Sequence, residues 1–211
     1  MLKKRFILKA GLLFALMACL VPQGVRAENF EQGAKRFIES LADEALQSLT
    51  VKDKPRDERA EKFRRLLHDY FAYRTIGAWV LGRYWRKATE AEKKEYFVLF
   101  EQLLVETYVD RFAQYPGASL QVVQTTNSGD RDVIVSTLLN RSDGQVPVKV
   151  DWRLRAREGK YKIIDLMVEG LSMGLTQRSD FASVIRQNGG TVEGLLSELR
   201  KKITKIKNQQ S

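Results

Sequence analysis

Apolar positions in this chain keep a helical period up to about residue 112, a strand period from about 120 to 168, and a helical period again afterwards. In the first segment Phe30, Ala34, Phe37, Ile38, Leu41, Ala45 and Leu49 fall on one face, which predicts an amphipathic helix over residues 30–50. Val51 to Pro55 break it. A second helix is predicted from near Asp57, with Phe63, Leu66, Leu67 and Tyr70 inward and Arg59, Lys62 and Arg65 outward. A short helix through Ile76, Trp79 and Val80 stops near Gly82. Thr89 and Glu92 then form a capping box, so a long helix is predicted past Phe97, Phe100, Leu103, Leu104 and Tyr108 to Phe112, ending before Pro116-Gly117.

Four strands follow, at Leu120–Thr125, Asp132–Asn140, Val146–Ala156 and Tyr161–Val168. Asn127-Ser128-Gly129-Asp130, Ser142-Asp143-Gly144 and Glu158-Gly159 supply the turns between them. In the third strand Val148, Val150, Trp152 and Leu154 alternate with Lys149, Asp151, Arg153 and Arg155. One face is apolar and the other charged, as in an antiparallel sheet packed on one side. Helix is predicted again from Thr176 or Ser179 to Asn188, closing at Gly189-Gly190, and from Thr191 to about Lys205. The fold class is α+β: helices wrapped around a twisted four-stranded antiparallel sheet, in one domain over residues 28–211.

The first 27 residues carry a separate message. Lys3, Lys4, Arg5 and Lys9 precede an apolar run from Ala10 to Val21 and the small-residue site Val25-Arg26-Ala27. This is the layout of a secretory signal peptide, predicting cleavage after Ala27 and a periplasmic protein. Leu16-Met17-Ala18-Cys19 resembles a lipoprotein processing site, but Met17 is bulky for one and the apolar run continues past Cys19. Cys19 is therefore read as part of the discarded peptide. Removing five basic residues and no acidic ones lowers the formal charge from +10 to +5. That surface is moderately basic, short of a nucleic-acid-binding extreme, and suited to anionic membranes or acidic partners.

Chemistry is sparse. Cys19 is the single cysteine and His68 the single histidine. The mature chain then has no disulfide, no thiol nucleophile and no cysteine or histidine metal cluster. His68 lies in a helical stretch and reads as a partly exposed helix residue. An enzyme of the NTF2-like kind needs a buried carboxylate paired with a Tyr or His donor. Asp151 and Asp165 are the possible carboxylates, but Asp151 alternates onto the charged face and neither has an evident partner. The expectation is a non-enzyme.

Three segments carry a family likeness. They are Leu81-Gly82-Arg83-Tyr84-Trp85-Arg86-Lys87-Ala88-Thr89, then Pro147-Val148-Lys149-Val150-Asp151-Trp152 with Gly159-Lys160-Tyr161-Lys162-Ile163, and Val168-Glu169-Gly170-Leu171-Ser172-Met173 with Gln177-Arg178-Ser179-Asp180-Phe181 and Asn188-Gly189-Gly190. In this order they resemble the MlaC, or toluene-tolerance, family of periplasmic phospholipid carriers, across roughly residues 30–203. The resemblance implies helices and sheet enclosing an apolar pocket filled by acyl chains, with no cofactor and phospholipid as cargo. It implies shuttling between an outer-membrane lipoprotein–porin complex and an inner-membrane MCE-domain ABC transporter, by a monomer, in the service of outer-membrane lipid asymmetry. A hopanoid-associated sister group stays open as the alternative, as do an NTF2-like enzyme and a periplasmic chaperone with an exposed apolar groove.

On this resemblance the lipid-lining candidates are Val148, Val150 and Trp152, with Leu171 beside them after Gly170. Ile164, Leu166 and Val168 share a face of the next strand. Phe100, Leu104 and Tyr108 on the long helix are candidates for the opposite wall. Trp79, Tyr84 and Trp85 cluster around Gly82, as anchors of the short helix or as the pocket mouth. Arg178 is placed to reach a phosphate or to pair with Asp180 or Glu169. Lys201, Lys202, Lys205 and Lys207 complement the last helix's dipole or serve membrane docking.

Overall fold

Helical periodicity and capping account for most of the element boundaries in the computed structural model, which describes residues 23–50 and 54–210. The basic and apolar parts of the export signal, Cys19 and most of the break after Thr50 lie outside the described residues. Among the described residues no helix is long and apolar enough to cross a membrane.

Helix α1 (Gln23–Leu49) starts earlier than its apolar face requires. Adding a residue to a helix that has already nucleated costs little, and Gln23 to Asn29 contain no proline to resist it. Helix α2 (Arg56–Tyr70) places Asp57 and Glu58 in its first turn, where they offset the dipole. Helix α3 (Tyr73–Leu81) runs into a single 3-10 turn at Gly82–Arg86. Helix α4 (Glu90–Phe112) carries the expected capping box: the Glu92 amide donates to Thr89 Oγ1 (3.2 Å) and the Thr89 amide to Glu92 Oε2 (2.7 Å).

The sheet follows in simple order: β1 (Ser119–Asn127), β2 (Asp132–Asn140), β3 (Val148–Arg157), β4 (Lys160–Val168) and β5 (Leu171–Ser172), each antiparallel to the next. The sheet therefore has five strands, where the sequence pattern predicts four. Two residues are too few to display alternation, and β5 exists because it pairs with β4. Glu169 (φ 49°) and Gly170 (φ 79°) both take positive φ in the turn that brings it back. The same geometry at Glu158 and Gly159 joins β3 to β4. On the far edge of β4 the Ala72 amide donates to the Ile163 carbonyl (2.8 Å), so the α2–α3 junction lies along that edge.

Helix α5 (Met173–Gln187) begins at once after β5, three residues ahead of the earliest predicted start. Ser172 caps it, accepting the Leu175 amide at 3.0 Å, and Asp165 of β4 accepts the Gly174 amide at 3.2 Å. This start is fixed by a neighbouring strand and not by local sequence. Helix α6 (Val192–Gln210) runs five residues beyond its predicted end.

Two cores result. Ala34, Ile38 and Leu41 of α1 and Leu66 of α2 pack onto Val133, Val135, Leu154 and Ile163 of the sheet. A second, all-helical core joins α3, α4, α5 and α6 through Val80, Tyr96, Phe100, Phe181, Leu195 and Leu199, among others. Phe71 packs against both. Arg59 departs from its predicted outward position: it is buried, donating to Asp110 Oδ1 of α4 (3.1 Å) and the Lys54 carbonyl (3.3 Å). Burial is tolerated because α4 brings it a carboxylate.

Candidate functional site

The inner face of the sheet is a ladder of matched apolar rows. Strand register places Val148 opposite Leu139, and Val150 between Thr137 and Val168. Trp152 stands between Val135 and Leu166, and Leu154 between Val133 and Ile163. Residues directly opposite share a face, so Val148, Val150, Trp152, Leu166 and Val168 are brought together as one patch.

Ile164 is different. A bulge between Arg153 and Leu154 leaves it without a partner on β3, and Ile163 takes the inward position opposite Leu154. Ile163 is fully buried while Ile164 is half-buried. Strict alternation from Val168 backwards passes over this switch.

Along the face, packing grades from closed to open. Val133, Val135, Leu154 and Ile163 are fully buried under α1 and α2. Val148, Trp152, Leu166 and Val168 are only half-buried, with Val150 buried among them. Half-buried Phe63, Phe71 and Phe112 pack on the same core from α2, the α2–α3 junction and the end of α4. Phe71 was not legible as a site residue, since it lies between two helices with no periodic partner.

Polar atoms in this patch are already engaged. Trp152 Nε1 donates to Thr137 Oγ1 (3.0 Å), and Thr137 Oγ1 donates to the Val150 carbonyl (2.9 Å). What the patch offers is therefore apolar surface.

The α4 candidates separate. Phe100 is buried in the helical core, stacked on Tyr96 (5.5 Å) and Tyr73 (5.8 Å) with Phe181 edge-on at 6.0 Å. Leu104 packs at the margin of that core, and half-buried Tyr108 carries the Arg111 guanidinium 5.7 Å from its ring. Leu171 pairs with Val168 and so shares its face, but stands 69% exposed at the open edge.

Titratable groups stay away from the patch. Asp151 lies on the opposite face, 3.3 Å from Lys149 Nζ. Asp165 accepts the Leu166 and Gly174 amides and the Ser172 hydroxyl (2.9, 3.2 and 2.7 Å), a structural role. Burial pushes the Tyr73 and Tyr96 phenols well above their ordinary range, and they donate to the Phe97 and Gly77 carbonyls. His68 meets Glu101 at 2.5 Å on the exposed side of α2. Among the described residues no cluster of His, Cys, Asp and Glu could hold a metal ion. An open groove of about 540 Å³ between α2, α4 and α6 has a charged lining that includes Arg56, Arg64, Glu61, Glu106 and Lys207. It is unsuited to apolar ligands.

Comparison with known proteins points one way. The family model described as MlaC protein matches residues 39–201. The intermembrane phospholipid transport system binding protein MlaC of Haemophilus influenzae is 24% identical over 207 residues, 94% of this chain and 92% of that protein. The toluene tolerance protein ttg2D of Pseudomonas putida is 24% identical over 123 residues, 56% of this chain and 57% of that one. Among solved structures, a phospholipid-binding protein from Ralstonia solanacearum, in complex with a phospholipid, matches with a TM-score of 0.72 at 23% identity. The match covers 82% of this chain and 98% of that one and shows a shared fold.

Proposed function

The chain belongs to the MlaC family, and on that premise we propose that it carries phospholipid across the periplasm, between an outer-membrane lipoprotein–porin complex and an inner-membrane MCE-domain ABC transporter. Such traffic maintains the lipid asymmetry of the outer membrane. The observation that supports this most is the graded sheet face. A contiguous apolar patch of Val148, Val150, Trp152, Leu166 and Val168 has its polar atoms internally satisfied and its side chains mostly half-buried. Acyl chains are the ligand that such a wall suits, because each methylene taken from water is worth about 0.8 kcal/mol and needs no polar contact. The relatives, an intermembrane phospholipid transport system binding protein and a protein solved with a phospholipid bound, support the same cargo.

In this reading the patch lines the cavity, with Phe63, Phe71 and Phe112 facing it, Leu104 and Tyr108 at its margin and Leu171 at its rim. Phe100 packs in the separate helical core and is not part of the wall. The protein works as an exported monomer beginning at Glu28, and it carries cargo instead of catalysing a reaction. Native mass spectrometry of protein purified from the periplasm tests this. The expected result is a chain starting at Glu28 with phospholipid at near-unit occupancy. A lipid-free protein would overturn the carrier reading, a hopanoid cargo would move the chain to the sister group, and a chain starting at acylated Cys19 would overturn the free shuttle.

A further inference from the structure

Three large apolar side chains near the open edge of the sheet face are left uncovered by the fold: Leu171 of β5 at 69% exposure, Leu175 in the first turn of α5 at 59%, and Trp79 of α3 at 44%. They are held close together. Gly174, beside Leu175, packs so tightly on the Trp79 indole that a Cβ there would stand 3.1 Å from the ring. Asp165 clamps the same turn through the Gly174 amide and the Ser172 hydroxyl. Isolated exposed leucines are ordinary, but two exposed leucines on a clamped turn that packs against an exposed indole place three apolar side chains on one part of the surface.

Arginine lies directly against the patch. Between Asp69 and Glu90 the sequence has no acidic residue but carries Arg74, Arg83, Arg86 and Lys87. Arg178 of α5 lies 5.0 Å from the Trp79 ring centre, donates to the Trp79 carbonyl (3.2 Å) and rests against Gly82, next to Arg83. Of the nearby carboxylates, Asp165 is occupied internally, Glu169 accepts the Lys149 amide (2.5 Å), and Asp180 is exposed further along α5. A Trp–Leu tip rimmed by arginine matches the interface of a bilayer with anionic head groups. Indole sits at head-group level, leucine enters the acyl boundary and guanidinium meets phosphate.

We infer that Trp79, Leu171 and Leu175, with Arg178 and its basic neighbours, form a docking tip for an anionic phospholipid surface. Because Leu171 shares the face of Val168 and Val150, a protein docked in this way has its candidate cargo-binding face opening toward the bilayer. That orientation rests on the carrier reading; the docking itself does not.

The test is co-sedimentation of the protein as purified from the periplasm with vesicles of phosphatidylcholine, with and without phosphatidylglycerol. Tryptophan emission and co-purified lipid are measured in parallel. Expected is binding to phosphatidylglycerol vesicles that is at least tenfold tighter than to phosphatidylcholine alone. Leu175→Asp should weaken it at least tenfold, and Arg178→Gln should reduce the anionic preference, both with native melting and unchanged lipid load. Native protein that ignores anionic vesicles, or Leu175→Asp that binds them as tightly, overturns the docking tip. A lipid-loaded protein that does not bind vesicles leaves the carrier reading standing and this one fallen. A protein without lipid that binds through the tip does the reverse.

Discussion

Val168→Glu tests the graded face most directly, with Leu154→Ala as its counterpart at the closed end. Val168 is half-buried opposite Val150, so in a lipid-free protein a glutamate there reaches water and the fold survives. With acyl chains against it, the carboxylate must be either unpaired in apolar surroundings or protonated. An ordinary glutamate titrates near 4.3, so neutralising it at pH 7 costs about 1.36 × 2.7, or about 3.7 kcal/mol, which is roughly a 500-fold loss of lipid affinity. Only the neutral form is compatible with cargo, so the penalty shrinks about tenfold for each pH unit lowered, until the pH reaches the ordinary glutamate value. Leu154 is fully buried between Val133 and Ile163, and its truncation should instead cost about 3 kcal/mol of folding stability while lipid stays bound. Phosphorus per protein after extraction, measured alongside urea melts, reads both arms. A folded Val168→Glu protein with full lipid occupancy at pH 7 would refute the placement of the cavity. So would a Leu154→Ala protein that loses lipid without losing stability.

Other substitutions probe other parts of the argument. Leu171→Glu should lower lipid occupancy far less than Val168→Glu, because its side chain already stands in water, and the same phosphorus assay ranks them. Thr89→Ala removes the capping box of α4 and should cost about 1 kcal/mol in a urea melt, with Thr89→Ser near native. Hydrogen bonds from Arg155, opposed in part by burial and reinforced by Arg153, hold the Asp132 carboxyl below its ordinary 3.8. Its stabilising contribution is complete above that value and is lost as pH falls through the lowered one. Asp132→Asn should therefore be less stable at neutral pH and show a flatter acid limb, measured as urea stability against pH. His68→Ala breaks an exposed contact with Glu101 and should shift stability by less than about 1 kcal/mol, leaving lipid occupancy unchanged by native mass spectrometry.

Local physics settled in advance what local physics controls. The capping box at Thr89 and the end of α4 at Phe112 need only neighbours within a few residues, and the structure keeps both; the strand from Val148 to Leu154 keeps its two faces, although Asp151 on the charged one is buried. The family likeness was also legible, since it rests on motifs in order along the chain, and the family match bears it out.

What the tertiary structure alone decided depends on partners distant in sequence. Arg59 turns inward because Asp110, fifty-one residues away, offers it a carboxylate. Strand β5 and the early start of α5 exist because β4 supplies ladder bonds and the Asp165 acceptor. Phe100 shares a helix face with Leu104 and Tyr108, but Tyr73, Tyr96 and Phe181 draw it into a separate aromatic core. At Ile164 a single unpaired residue shifts the phase of β4, exchanging Ile163 for Ile164 on the inner face. Periodicity tells which residues share a side of one element; only packing tells what that side meets, and a one-residue bulge is enough to change the answer.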